Sequence, residues 1–185
     1  MNEKNPWITL STETKYENPW IRLDESQVIN PAGKNGIYGV VHFKNRAMAI
    51  VPLDEENNTW IVGQFRYTTN TYEWEVIEGG VPEGEDLLVG AQRELEEEAG
   101  LIAREWKMII DGCQLSNSVS DEIGYAFVAK GITEVNANPE ETEQLQIRKL
   151  PFDELVAMVM RGEIKDLLSV AAVLKVKMLI DEELI

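Results

Sequence analysis

The segment Gly79-Gly80-Val81-Pro82-Glu83-Gly84-Glu85-Asp86-Leu87-Leu88-Val89-Gly90-Ala91-Gln92-Arg93-Glu94-Leu95-Glu96-Glu97-Glu98-Ala99-Gly100-Leu101 changes character at Asp86. Before it, glycine and proline favour an irregular chain. After it, Leu88, Ala91, Leu95 and Ala99 recur at helical spacing, which predicts a helix from about Asp86 to Ala99 with that stripe toward the core. Asp86 suits the N-cap, and Gly100 suits a left-handed terminator. Glu94, Glu97 and Glu98 stand at i, i+3 and i+4, so their carboxylates share a face. We read that face as lying roughly opposite the apolar stripe. Like charges so spaced cost about 0.2–0.5 kcal/mol per pair. A cluster kept at that cost needs full solvation or a counter-ion. Hard divalent cations such as Mg2+ prefer oxygen ligands. Spacing alone favours the solvated face.

Upstream of the helix the chain reads as strands and turns. Trp20 to Ile29 and Ile37 to Phe43 flank the turn Asn30-Pro31-Ala32-Gly33. Ala47 to Leu53 and Trp60 to Tyr67 flank the turn Asp54 to Asn58. Glu73 to Ile77 is a further strand, expected to stop at Gly79-Gly80. Downstream, Ile102 to Leu115, Ile123 to Val128 and Leu145 to Leu150 read as strands. One closing helix starts near Phe152, and another starts near Asp166 and carries Val170, Leu174 and Met178. The order implies a mixed sheet flanked by helices. No internal repeat or low-complexity tract is visible.

The composition narrows the function classes. The formal net charge is −16. Nucleic-acid binders draw affinity from a basic face that neutralises phosphate, and no such cluster occurs. A membrane-surface role is disfavoured for the same reason. No apolar run approaches the ~20 residues that span a bilayer. Met1 to Leu10 lacks the pattern of a secretory signal. The single cysteine, Cys113, cannot form an internal disulfide and reads as an inert thiol. The expected setting is cytoplasmic.

Residues 79–101 match, position by position, the signature G-x5-E-x7-R-E-U-x-E-E-x-G-U, where U is a bulky aliphatic. Gly79, Glu85, Arg93, Glu94, Leu95, Glu97, Glu98, Gly100 and Leu101 all fall in place. The chain thus resembles a Nudix hydrolase, which tips the balance from a solvated face toward a metal site. The resemblance implies an α/β fold: an α/β/α sandwich with a mixed β-sheet, preceded here by an N-terminal antiparallel β-sheet subdomain. Residues 1–45 would form the N-terminal extension and 46–185 the hydrolase domain. The resemblance also implies that Glu94, Glu97 and Glu98 bind two or three Mg2+ ions, with Mn2+ as an alternative. Glu78, just before the box, would lend its backbone carbonyl. Arg93 would pair with box carboxylates such as Glu85 and orient the ligands. Gly79, Glu85, Arg93 and Gly100 are therefore chiefly structural, and Gly79 with Gly80 would let the loop approach the metals closely.

Outside the box the chain resembles the ADP-ribose and nucleoside-diphosphate-sugar pyrophosphatase branch. The carriers are Gly63-Gln64-Phe65-Arg66-Tyr67, Trp74-Glu75-Val76-Ile77-Glu78-Gly79-Gly80, Ser116 to Glu122, Pro139-Glu140-Glu141-Thr142-Glu143 and the N-terminal Tyr16-Glu17-Asn18-Pro19-Trp20. Glu78 departs from the small residue frequent in this branch, which leaves its side chain without an assigned role. Arg66 would contact phosphate through its guanidinium fork, or else pair with one of the many acids. Tyr16 and Trp20 would stack on a nucleobase, or else pack locally. Asp121 and Glu122 would accept hydrogen bonds from the distal sugar, or else be solvated turn residues. His42, the only histidine, reads as structural.

The implied reaction is metal-dependent hydrolysis of the diphosphate in a nucleoside diphosphate sugar, giving a nucleoside monophosphate and a sugar phosphate. ADP-ribose leads as substrate, followed by GDP-mannose and similar compounds. The general base is expected in the acidic loop, with Glu143 first and Glu141 next, or within the box at Glu97. In this branch the N-terminal strands pack across two subunits, so a homodimer is expected. The competing readings are a Nudix hydrolase of nucleoside triphosphates or dinucleoside polyphosphates, and a non-catalytic nucleotide-sugar sensor. A sensor tends to lose box acids, and this box is complete.

Overall fold

The structure is a computed structural model and describes residues 4–135 and 145–185. It falls into two compact units. The first contains residues up to Asn45 together with Gln114–Glu122. Its core element is an antiparallel sheet of β1 (Ile8–Glu17), β2 (Ile21–Ile29) and β3 (Asn35–Phe43), in that order. The β2–β3 connection is tied by Asn30, whose side-chain oxygen accepts from the backbone N–H groups of Ala32 and Lys34. Gly33 there takes φ +75°, a conformation that costs glycine little. The strand β1 was not anticipated, because the sequence reading begins the strands at Trp20. Few of its residues are large and apolar, and its pairing with β2 shifts register twice, between Thr9 and Ser11 and between Thr14 and Tyr16.

Residues 116–122 attach to β3. Val41 N–H donates to the Val119 carbonyl, Asp121 N–H donates to the Val41 carbonyl, and the Tyr38 hydroxyl donates to the Ser118 carbonyl. Asp121 also accepts from Phe43 N–H at 3.0 Å and meets His42 Nδ1 at 2.6 Å. His42 Nε2 lies 3.4 Å from Asp24. The histidine therefore bridges two acids within this unit, in keeping with the structural role expected for it.

The second unit contains residues 46–113 and 123–185. Its elements are β4 (Asn45–Leu53), β5 (Asn58–Arg66), β6 (Thr71–Glu75), β7 (Ile77–Pro82), α1 (Leu87–Ala99), β8 (Leu101–Ile102), β9 (Glu105–Gln114), β10 (Ile123–Lys130), β11 (Thr133–Glu134), β12 (Gln146–Pro151), α2 (Phe152–Met160) and α3 (Leu167–Asp181). Among the described residues, one sheet has the order β7-β4-β10-β9 and another the order β12-β5-β6, while β8 pairs with β11. β4 and β10 run parallel, with Ala49 beside Ala126. β12, β5 and β6 are antiparallel. This is the mixed α/β arrangement with an N-terminal antiparallel sheet that the sequence implies.

The central strands explain the layering. β4 is buried from Met48 to Leu53, as a strand covered on both faces must be. Met48 and Ile50 join Ile77, Val81, Ala91, Leu95, Leu101 and Phe127 in the core against α1. Alternation sends Ala49, Val51, Ala126 and Val128, all buried, to the other face. Helix α3 packs on β10 and buries Leu168, Ala172, Val173 and Val176. The Val170, Leu174 and Met178 series lies half-buried to exposed. This helix is apolar nearly all round, so spacing alone could not select its buried face.

The ends of α1 follow their expected chemistry. Asp86 accepts from Leu88 N–H and Val89 N–H, and Gly100 sits at φ 61°. Such an N-cap contributes about 0.5–2 kcal/mol. Two expectations need correction. Gly79-Gly80 does not stop a strand, because β7 runs through both glycines. The acidic face is not opposite the apolar stripe either. At about 100° per residue, Glu98 falls within about 20° of Ala91 on the helix wheel. Glu94 and Glu98 therefore flank the stripe and are buried at 8 % and 2 % exposure.

Among the described residues, no helix is long and apolar enough to cross a membrane.

Candidate active site

Burying two carboxylates side by side is costly unless each is paired or hydrogen-bonded. Arg93 supplies much of the pairing. Its Nη1 lies 2.7 Å from Glu94 Oε1 and 3.0 Å from Glu97 Oε2. Its Nη2 donates to the Gly80 carbonyl at 3.2 Å and lies 3.6 Å from Glu85 Oε2. The expected Arg93–Glu85 pair is thus present but is the longest of the four contacts. Partial burial opposes the charge on Arg93, and the Glu94 and Glu97 carboxylates outweigh it, so the guanidinium stays protonated above its ordinary range.

Glu98 Oε2 accepts from Glu78 N–H at 3.3 Å, so the backbone of β7 faces the box acid directly. Gly79 explains the close approach of strand and helix. A Cβ at this position would overlap the Glu94 carboxyl carbon and stand 2.5 Å from its Cγ. Gly90 plays the same part on the helix side, where a Cβ would come 2.5 Å from Val81 Cγ2. The loop ahead of α1 is held by Arg46, whose Nη2 donates to the carbonyls of Pro82 and Glu85. Sequence reasoning did not single out Arg46, because its partners are backbone atoms far along the chain.

The Glu78 side chain turns away from the box. Its Oε1 accepts from the Ser169 hydroxyl at 2.6 Å. Burial pushes this carboxyl well above the usual range, the charge of Asp166 and a hydrogen bond with its side chain push the same way, the Ser169 hydrogen bond opposes them, and the Glu75 charge adds to the rise. Arg66 spans Glu75 with Nε at 2.9 Å and 3.0 Å from the two carboxylate oxygens, and its Nη2 also meets Glu75. The acid-paired alternative for Arg66 is therefore what the structure displays.

The remaining sequence candidates scatter. Tyr16 and Trp20 lie in the first unit, 54 % and 68 % exposed, and the Tyr16 hydroxyl accepts from Asn18 Nδ2 at 3.3 Å. Asp121 spends its carboxylate on His42 and Phe43, and Glu122 follows it in the same loop. Glu141 and Glu143 fall outside the described residues.

The donor set of Glu94, Glu97, Glu98 and the Glu78 carbonyl is all oxygen, which fits a hard divalent cation in kind. The fit of the Glu94 side chain into the space a Cβ at Gly79 would fill supports a built site. Among the described residues, no three acidic, histidine or cysteine side chains already converge as an ion requires. Arg93 Nη1 lies between Glu94 and Glu97 instead.

A helix with a glycine-passed strand, buried paired acids and an arginine between them is the geometry of the box, and a NUDIX domain model matches residues 43–169. The chain belongs to the Nudix family. A second model, the nucleoside diphosphate sugar hydrolase N-terminal domain, matches residues 7–41 of this Nudix hydrolase. It is similar to an ADP-ribose pyrophosphatase of Mycobacterium tuberculosis (strain ATCC 25618 / H37Rv), at 35 % identity over 91 % of this chain and 82 % of that one. It is also similar to a methanol dehydrogenase activator of Bacillus methanolicus, at 30 % identity over 89 % of each chain. Among solved structures, an ADP compounds hydrolase superposes with a TM-score of 0.86 at 18 % identity, over 99 % of this chain and 98 % of that one. That likeness establishes the fold. Nudix hydrolases use divalent metals.

Proposed function

We propose that this Nudix hydrolase cleaves the diphosphate bond of nucleoside diphosphate sugars, with ADP-ribose preferred and GDP-mannose and similar compounds next. The observation that carries this reading is the match of residues 7–41 to the N-terminal domain of nucleoside diphosphate sugar hydrolases, joined to a complete box. The similarity to an ADP-ribose pyrophosphatase along most of the chain supports it. Glu94, Glu97, Glu98 and the Glu78 carbonyl would hold Mg2+ or Mn2+, two or three ions per site, with Arg93 released from at least one acid. Divalent ions held there would supply charge that neutralises the diphosphate and would lower the pKa of a bound water. The chain's own residues orient the ligands through Arg93, shape the floor through Gly79 and take up a proton through a loop carboxylate. The net charge of −16 disfavours long polyanions as substrates. The setting consistent with this chemistry is the cytoplasm.

The test is kcat/KM across ADP-ribose, ADP-glucose, GDP-mannose, UDP-glucose, diadenosine polyphosphates and nucleoside triphosphates, with products identified. We expect ADP-ribose to lead and to yield AMP and ribose 5-phosphate. Turnover should cease in chelator and return with Mg2+ or Mn2+. A preference for triphosphates or diadenosine polyphosphates overturns the substrate assignment. Full activity of chelated, metal-free protein overturns the metal assignment.

The general base in this reading is Glu143, with Glu141 second and Glu97 the alternative within the box. Glu143→Gln should lower kcat with little change in KM, as loss of a group acting only in the chemical step does. Near wild-type kcat in both Glu143→Gln and Glu141→Gln would move the base into the box.

A homodimer completes the proposal. Every residue of β1 is exposed, and in the three-strand sheet only Val28 is buried. Sheets of so few strands are marginal without a covering partner, and a twofold mate would supply it. Tyr16, Trp20, Asp121 and Glu122 would then serve a substrate site built by two chains, and Arg66 would reach phosphate by leaving Glu75. Light scattering should give twice the chain mass, and a fully active monomer would refute the assembly.

A further inference from the structure

Ser169 is buried and sits in the first turn of α3, where no box residue lies. Its hydroxyl both accepts and donates. It accepts from Val76 N–H at 3.1 Å and donates to Glu78 Oε1 at 2.6 Å. Its own backbone N–H is fixed by Asp166 Oδ2 at 2.7 Å, so the serine cannot drift without uncapping the helix. One hydroxyl therefore grips the residue before β7 and a residue near its start. On the far side of the same residue, Glu78 N–H donates to Glu98 Oε2. Glu78 is thus pinned by its side chain to α3 and by its amide to α1.

We propose that Ser169 is a positioning residue for the metal site, acting through Glu78 to fix the peptide that faces Glu98. The inference rests on the box binding a divalent metal, and it gives the Glu78 side chain a role. A carboxylate at this position is useful because it is long enough to reach the α3 hydroxyl while its main chain stays at the box. The carboxylate of Glu78 is no metal ligand in this arrangement, because it points to the helix opposite the acids.

The experiment is Mn2+ binding by the full chain, followed through the free-ion electron paramagnetic resonance signal, with thermal melting in parallel. Partners that orient ligands change metal affinity by about 10–100-fold, so Ser169→Ala should raise the Mn2+ half-saturation about tenfold. Glu78→Ala should do the same, because it cuts the same link from the other end. The double variant should be no worse than either single one, as expected for residues of one chain of contacts. Glu78→Gln retains an oxygen acceptor for the hydroxyl and should bind Mn2+ within about twofold of the parent, in contrast to the larger loss for a broken link. A merely structural serine would lower the melting temperature and leave the Mn2+ half-saturation unmoved. If the parent chain binds Mn2+ and both Ser169→Ala and Glu78→Ala bind it equally well, this proposal falls and the metal reading stands. Additive losses in the double variant also overturn it. If the parent chain binds no Mn2+, the metal reading fails and the proposal with it. Should Ser169→Ala not fold, the comparison of Glu78→Ala with Glu78→Gln decides the matter alone.

Discussion

Replacing Glu98 by glutamine should lower kcat by at least ~100-fold, the scale expected when a preorganised charge at the reacting centre is lost. The side chain is 2 % exposed, so its environment is set by protein and not by water. Glutamine has nearly the same shape, and its carbonyl oxygen can still accept from Glu78 N–H, the bond that Glu98 makes at 3.3 Å. The fold should therefore survive, and circular dichroism and melting should show it. What disappears is the negative charge that Glu98 would bring to the metal site proposed for Glu94, Glu97 and Glu98. Steady-state kinetics at saturating Mg2+ is the measurement. A kcat within a few-fold of the parent would mean that Glu98 is no metal ligand.

The second large effect is expected at a residue without a side chain. Gly79→Ala should reduce kcat by on the order of 100-fold, comparable to loss of a charged group at the centre, and should raise the Mg2+ needed for activity. The added Cβ overlaps the Glu94 carboxyl carbon and stands 2.5 Å from Cγ, so Glu94 has to leave its place. Moving Glu94 also breaks its 2.7 Å contact with Arg93 and frees the guanidinium from its present set of partners. Gly90→Ala is the informative comparison. Its Cβ meets Val81 Cγ2 at 2.5 Å and Cγ1 at 2.9 Å, which is an apolar clash on the same helix. Overpacking of that kind costs about 1–3 kcal/mol. Gly90→Ala should therefore melt lower and keep its Mg2+ requirement, while Gly79→Ala should shift the Mg2+ requirement. Identical Mg2+ profiles for the two variants would show that Gly79 serves packing only.

What the sequence revealed about the fold depended on how local each determinant was. The α1 start at Asp86, its end at Gly100 and the stripe of Ala91, Leu95 and Ala99 were legible because caps and helical spacing act within a few residues. The orientation of the acids is not legible in the sequence, because spacing gives the relation of Glu94 to Glu98 but not how wide the buried arc is. Burial extends past Ala91 to both acids. The part played by the β7 glycines is hidden for a related reason. Glycine ends some strands and permits close approach in others, and only the neighbouring helix decides which. Ser169 and Arg46 were invisible to any window. Ser169 reaches residues 91 and 93 positions away, and Arg46 reaches carbonyls 36 and 39 positions away. The box itself was legible because its acids, arginine and glycines are gathered in one stretch of chain.

The attachment of residues 116–122 to β3 bears on how the chain leaves the ribosome. His42 and Asp121 are separated by 79 positions. Strands β1 to β3 are therefore synthesised long before the segment that completes their unit. At a chain-synthesis rate of roughly 5–20 residues per second, the outer edge of β3 waits several seconds for that segment. An unpaired edge of this kind is a template for pairing with other chains. The nascent sheet meets that interval with Lys34, Asn35, Lys44 and Asn45 around the ends of β3, polar residues that make a poor template. Even so, nascent chains held before residues 116–122 have emerged from the ribosome should be more prone to associate than chains from which that segment has emerged.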